Sequence, residues 1–134
     1  PTLLRRQRQM CIRDRYNAAL KKSKWYNSAS ELFEKFDLLV LPSTQVWPFD
    51  LAEIYPVSIK NEKMDTYHRW MQVTIPAGLL GLPVVNIPIG FGKTGLPAGI
   101  QLIGSKGSDG YILSIAQAWH EHTKWPYVNI PNFN

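Results

Sequence analysis

The chain has 134 residues, 45% of them hydrophobic, with ten prolines and a single cysteine. This length accommodates one domain with a hydrophobic core, or part of such a domain. A single cysteine excludes an internal disulfide, and no apolar run reaches the roughly 18 residues typical of a membrane-spanning helix. We therefore expect a cytoplasmic protein that has no membrane partner.

The formal net charge of +5 is concentrated at the start of the chain. Residues 1–15 carry +4 of it, whereas residues 16–134 carry +1. A basic patch on the folded body is therefore not supported, and we expect no nucleic-acid partner. We predict that residues 1–15 are a non-native Arg-rich leader and that residues 16–134 form the domain. The alternative is an Arg-rich arm that binds nucleic acid.

The first predicted elements after this leader are a helix and a strand. Residues 16–36 show the apolar spacing of an amphipathic helix, with a break predicted near Asn27 and Ser28. Residues 37–41, DLLVL, are typical of a strand buried on both faces, and Pro42 should end it. The pair favours an α/β fold.

Residues 43–60 have no sustained period and contain two prolines, so an irregular connection is predicted there. Connections of this length are often functional. We interpret its aromatic residues mainly as a cover for the core. They are Trp47, Phe49 and Tyr55.

A second helix is predicted over residues 61–81, because apolar residues recur at helical spacing there. Pro76 should end or kink this helix. Thr74 is then the predicted N-cap of a short helix that runs to Leu80 and stops at Gly81.

A β-hairpin is predicted around residues 83–104. Residues 84–87 and 98–103 are aliphatic runs, and the glycine-rich residues 91–95 between them suit a reversing connection. Three prolines flank the runs and should lie at strand ends or bulges, which limits each strand to about five residues. They are Pro83, Pro88 and Pro97.

The last predicted helix covers residues 108–122, with Ser108 or Asp109 as its N-cap and Tyr111, Ile112, Ile115, Ala116 and Trp119 on its buried face. The tail from Thr123 should be extended. His120 and His122 are two residues apart and point to different faces of a helix, unlike the i, i+4 pair of a zinc helix. We expect no bound metal and no cofactor.

Nucleophilic catalysis needs a Ser or Cys on a donor-rich turn near a base. The chain contains no G-x-S-x-G and no S-x-x-K motif. From the residues alone we therefore predict no catalytic residue.

Residues 70–104, WMQVTIPAGLLGLPVVNIPIGFGKTGLPAGIQLIG, closely resemble the C-terminal signature of the amidase signature family. Residues 37–44, DLLVLPST, resemble the D-x-L-L-x-P-T strand of that family, and residues 108–125 resemble its last helix. The resemblance covers roughly residues 16–125. It implies the C-terminal part of an amidase, with a mixed β-sheet and flanking helices.

The resemblance further implies hydrolysis of a small-molecule carboxylic amide by a Ser nucleophile, a second Ser with a cis peptide, and a Lys base. All three belong to the N-terminal half of the family pattern, so none is carried over and this chain alone is expected to be inactive. It implies the substrate-pocket candidates Ser43, Thr44, Gln45 and Trp47, whereas Gln101 is expected to orient backbone inside the hairpin. A homodimer is a further expectation.

Two alternatives stay open. One is the A subunit of a glutamine-dependent tRNA amidotransferase, from a branch in which an Asp is expected at the position of Met71. The apolar Met71 argues against glutamine and favours less polar amides. The other alternative is a non-catalytic basic binding module, built on the Arg-rich start.

Overall fold

The computed structural model describes the backbone of residues 2–130 and the side chains of residues 11–130. It divides the chain into two compact units, Pro1–Phe36 and Asp37–Asn134. No helix in the described part of the chain is both long and apolar enough to cross a membrane.

The first unit is one long helix, α1 (Thr2–Phe33). The predicted start at Tyr16 and the predicted break near Ser28 were therefore wrong. Residues 2–33 contain no Pro or Gly, and Ser23 and Ser30 donate through Oγ to carbonyl oxygens one turn earlier, at 3.1 and 3.0 Å. These serines satisfy their hydroxyls inside the helix instead of capping a new one. That residues 1–15 are a non-native leader stays a prediction.

The second unit contains a three-stranded sheet and a two-stranded sheet, with short helices around them. The strands are β1 (Leu39–Pro42), β2 (Ser58–Ile59), β3 (Glu62–Lys63), β4 (Val84–Phe91) and β5 (Pro97–Ile103). The helices are a 3-10 helix (Arg69–Thr74), α2 (Ile75–Leu80), α3 (Asp109–Thr123) and α4 (Trp125–Val128).

The predicted α/β fold class and hairpin are confirmed. β4 and β5 pair antiparallel, and β1 pairs antiparallel on the other side of β5, which gives the order β1-β5-β4. All pairs among the described strands are antiparallel. The hairpin strands are eight and seven residues long, more than predicted. A register shift between Pro88 and Gly90 places the internal proline at a bulge, so β4 continues past it.

β1 is an edge strand, and the prediction of a strand buried on both faces was wrong for it. Val40 is 53% exposed, and burial alternates along the four residues of β1. The central strand β5 is instead the strand that is buried on both faces. Its consecutive residues Leu102 and Ile103, which lie on opposite faces, are 4% and 3% exposed, and strands flank β5 on both sides.

The predicted helix over residues 61–81 is absent before Arg69 and then forms as a 3-10 helix followed by α2. Lys60 and Asn61 adopt positive φ values of 47° and 70°, which reverse the chain between β2 and β3. Met64, taken from the sequence as part of a helical row, is buried beside this turn, and its N–H donates to the carbonyl of Val57 at 2.9 Å. The predicted end is confirmed, because α2 ends at Gly81 with φ of 69°. The predicted cap is not, because the hydroxyl of Thr74 donates to the carbonyl of Met71 at 2.8 Å and makes no capping bond.

α3 matches its predicted span within one residue and packs on β4 and β5. Ile112 is 2% exposed on its inner face, whereas Tyr111 is 49% exposed and was wrongly assigned to that face. The predicted extended tail is instead the short helix α4, since Pro126 tolerates the first turn of a helix. Pro131 lies outside the described residues.

Candidate functional site

A cavity of about 750 Å³ lies in the second unit, beside the hairpin. One wall is the segment that follows β1, residues 42–49, which we call the pocket loop. A second part of the lining is formed by residues 86–89 and 97–100 of the hairpin, and Trp70 of the 3-10 helix contributes a further side chain. The volume lies within the range of small-molecule sites.

All four predicted pocket residues line this cavity. Ser43, Thr44, Gln45 and Trp47 are contributed by the pocket loop, so the structure brings together residues that the sequence placed in one irregular stretch. Their role in binding substrate stays a prediction. Of the other loop aromatics, Phe49 also lines the cavity, whereas Tyr55 lies away from it and packs edge-on against Tyr67 at 5.8 Å between ring centroids.

Ser43 anchors the pocket loop to the hairpin. Its N–H donates to the carbonyl of Gly99 at 2.9 Å, and its hydroxyl donates to Oδ1 of Asn86. A Cβ at Gly99 would lie 2.7 Å from Oγ of Ser43 and 3.1 Å from the carbonyl oxygen of Ile87, so this close approach requires glycine. Because the hydroxyl hydrogen of Ser43 is bonded to Asn86, the hydroxyl oxygen is left to accept a hydrogen bond from a group in the cavity.

Two glutamines bind the backbone of a single residue at the edge of the cavity. Oε1 of Gln45 accepts from the N–H of Val73 at 3.2 Å, and Nε2 of Gln101 donates to the carbonyl of Val73 at 3.3 Å. Gln101 also donates to the carbonyl of Pro42 at 2.9 Å. The prediction that Gln101 binds backbone is confirmed, although both carbonyls lie outside the hairpin. These bonds fix the 3-10 helix against the start of the pocket loop.

Aromatic rings hold the far end of the pocket loop. Phe49 packs edge-on against Trp70, with 5.6 Å between ring centroids, and Trp70 packs in the same way against Tyr67 at 5.8 Å. Edge-to-face pairs at this separation are favourable beyond the area they bury. Trp47 contacts the hairpin turn at Gly92.

The lining of the cavity is uncharged. Its polar side chains are Ser43, Thr44, Gln45 and Asn86, and none of its described lining residues is Asp, Glu, Lys, Arg or His. A buried ligand charge is costly without a charged or strongly hydrogen-bonding partner. This cavity is therefore suited to an uncharged group with a large apolar part. No cluster of three or more metal-binding side chains occurs among the described residues.

Sequence reasoning missed Trp70 and Asn86 as cavity residues. The sequence placed Trp70 beside the apolar row of the predicted helix over residues 61–81, in a part that forms a 3-10 helix, and it placed Asn86 in a buried strand. The one signal for Asn86 was a polar side chain inside an aliphatic run. Met71, whose apolar side chain argues against glutamine, lies on the 3-10 helix but is not among the residues that line the cavity.

Comparison with known proteins gives a family match. A family model described as Amidase matches residues 3–113. A fatty acid amide hydrolase of Medicago truncatula is 38% identical over 90 residues, which are 66% of this chain and 14% of that protein. The A subunit of a glutamyl-tRNA(Gln) amidotransferase of Thermotoga maritima is 33% identical over 113 residues, which are 84% of this chain and 22% of that protein.

Solved structures give the same result. A crystal structure of a bacterial aryl acylamidase of the amidase signature family has a TM-score of 0.70 and 26% identity, over 79% of this chain and 22% of the other. The crystal structure of the A subunit of the Thermotoga maritima glutamyl-tRNA(Gln) amidotransferase has a TM-score of 0.62 and 30% identity, also over 79% of this chain and 22% of the other. The chain thus spans less than a quarter of the length of each of these relatives.

Proposed function

Because this chain belongs to the amidase signature family, we propose that it supplies part of the substrate-binding cavity of a carboxylic amide hydrolase. The observation that carries this proposal is the cavity of about 750 Å³ between the pocket loop and the hairpin. Its walls are formed mostly by two of the three segments that carry the family resemblance, residues 37–44 and 70–104.

The substrate class we propose is an uncharged amide with an aromatic or aliphatic group. A free glutamine has an ammonium and a carboxylate, and each would lose hydration on entering the cavity. The described lining residues contain no charged side chain to compensate that loss. An aryl or alkyl group instead gains from leaving water, at about 25 cal/mol per Å² of apolar surface.

In this proposal the residues of this chain bind and orient the substrate, while bond cleavage uses residues outside these 134. An acyl-enzyme route needs a serine nucleophile and a base to take its proton. Within the cavity, Ser43 donates its hydroxyl hydrogen to Asn86. Ser43 is therefore assigned to the wall of the cavity, where its oxygen accepts a hydrogen bond from the amide N–H of the substrate.

The second candidate is the A subunit of a glutamyl-tRNA(Gln) amidotransferase. The observation that favours it is the alignment of the Thermotoga maritima protein over 84% of this chain at 33% identity. The uncharged cavity lining favours the general amidase over this candidate.

The test is the substrate preference of the longer polypeptide obtained when the reading frame is extended upstream of Tyr16. Values of kcat/KM are measured for acetanilide, hexanamide and glutamine. We expect both neutral amides to exceed glutamine by more than about tenfold, which corresponds to 1.4 kcal/mol of preferential transition-state binding. A preference for glutamine would support the amidotransferase candidate, and hydrolysis of none of the three would contradict both.

A further inference from the structure

The indole of Trp47 lies directly against the backbone of Gly92, in the turn between β4 and β5. A Cβ at Gly92 would come within 2.8 Å of Cζ3 and 3.0 Å of Cε3 of the indole. Separations below 3.0 Å are shorter than real Cβ contacts allow. The observed position of the Trp47 ring therefore requires that residue 92 have no side chain.

The backbone of Gly92 does not by itself require glycine. Gly81, Gly90, Gly95 and Gly107 have positive φ values, and Gly92 is not among them. The N–H of Gly92 donates to the carbonyl of Leu96 at 2.8 Å, a bond that any residue other than proline would make. The requirement for glycine at position 92 thus arises from the contact with Trp47.

Trp47 remains largely open to solvent although it is held in place. It is 63% exposed and lines the cavity, so a large apolar surface faces the space between the pocket loop and the hairpin. A tryptophan side chain has only two rotatable side-chain bonds, so it presents this surface with little loss of conformational freedom on binding. The loop is also fixed at Phe49 by the edge-to-face contact with Trp70.

We propose that Trp47, held by Gly92, is the specificity-determining residue of the cavity and that its indole stacks on a planar aryl group of the substrate. This inference rests on the proposed function, because it assigns the substrate class of the same cavity. It predicts that aryl amides bind more tightly than alkyl amides. It also predicts that the preference depends on the contact between Trp47 and Gly92.

The experiment measures binding to the full 134-residue chain, so its outcome is independent of hydrolysis. Acetanilide and hexanamide are titrated while the ¹H–¹⁵N signals of the five indole N–H groups are followed. We expect acetanilide to shift the Trp47 signal, which is assigned by its loss in Trp47→Phe, and to leave that of Trp25 on α1 unchanged. Trp47→Ala should weaken acetanilide binding about tenfold, and hexanamide binding much less.

A double-mutant cycle tests the role of Gly92. Gly92→Ala should displace the indole and weaken acetanilide binding about threefold, yet have no effect in the Trp47→Ala background. Gly78→Ala is the matched control, because a Cβ there meets no atom within 4 Å.

The proposal is overturned if acetanilide does not shift the Trp47 signal. It is also overturned if both amides lose affinity equally in Trp47→Ala, or if Gly92→Ala acts equally with and without Trp47. Backbone signals of β4 and β5 report that each variant is folded.

Discussion

The side-chain amide of Gln101 donates a hydrogen bond to the carbonyl oxygen of Pro42, with 2.9 Å between nitrogen and oxygen. Gln101 lies on the central strand β5 and is 6% exposed, and Pro42 is both the last residue of β1 and the first of the pocket loop. The same amide nitrogen contacts the carbonyl of Val73 at 3.3 Å. One buried polar side chain therefore ties the sheet to two elements that border the cavity.

Gln101→Glu should destabilise the second unit. The substitution keeps the shape of the side chain but replaces the donating NH₂ with an oxygen that faces two carbonyl oxygens. We expect a loss of about 2–4 kcal/mol in the free energy of unfolding, since buried polar groups lose their partners and a charge is buried. Urea denaturation followed by circular dichroism measures this loss. The control Gln72→Glu, at an exposed position of the 3-10 helix, should change stability little, and equal effects of the two variants would contradict this role.

Ile112 is predicted to be the main apolar contact of α3 with the sheet. It is 2% exposed, whereas the next residue, Leu113, is 58% exposed. Ile112→Ala should lower the free energy of unfolding by about 2–5 kcal/mol, and Leu113→Ala should change it by less than about 0.5 kcal/mol. The two variants remove side chains of the same size from neighbouring positions, so similar losses in thermal or urea unfolding would show that α3 packs differently.

Gly104 is predicted to be required by the packing of α3 on the end of β5. A Cβ at this position would lie 2.6 Å from Cγ2 of Ile112 and would also overlap the hydroxyl of Ser108. Gly104→Ala should therefore cost about 1–3 kcal/mol of stability through overpacking. Gly110→Ala is the control, because a Cβ there meets no atom within 4 Å and alanine favours helix. A Gly104→Ala variant as stable as the Gly110→Ala variant would contradict the predicted overlap.

The hairpin and the start of α3 were predictable because their signals are local. Glycines at a reversing connection act within a few residues. α3 starts where its apolar row starts, although the hydroxyl of Ser108 donates to the carbonyl of Ser105 and does not cap the helix. The first part of the helix over residues 61–81 was mispredicted because a helical row of apolar residues also arises when an irregular chain buries them one at a time. Met64 is buried beside a turn at Lys60 and Asn61, and no local rule announces positive φ at a lysine.

The cavity was predictable in part, and for a similar reason. The pocket loop was identified from the family resemblance, because its residues are continuous in the sequence. Trp70 and Asn86 join it through contacts across the fold, such as the bond between Ser43 and Asn86, which lie 43 positions apart. From the sequence, the glycine at position 92 is explained only by the turn. The structure explains it by the contact of its backbone with the Trp47 ring.

We propose that this chain provides part of the substrate cavity of an amidase whose bond-breaking residues lie outside these 134 residues. The most direct measurement is the rate of 4-nitroaniline release from 4-nitroacetanilide. It compares the longer polypeptide that begins upstream of Tyr16 with the 134-residue chain, and heat-treated samples of each serve as controls. We predict release by the longer polypeptide and none above control by the 134-residue chain. Release above control by the 134-residue chain, or release by neither protein, would contradict this proposal.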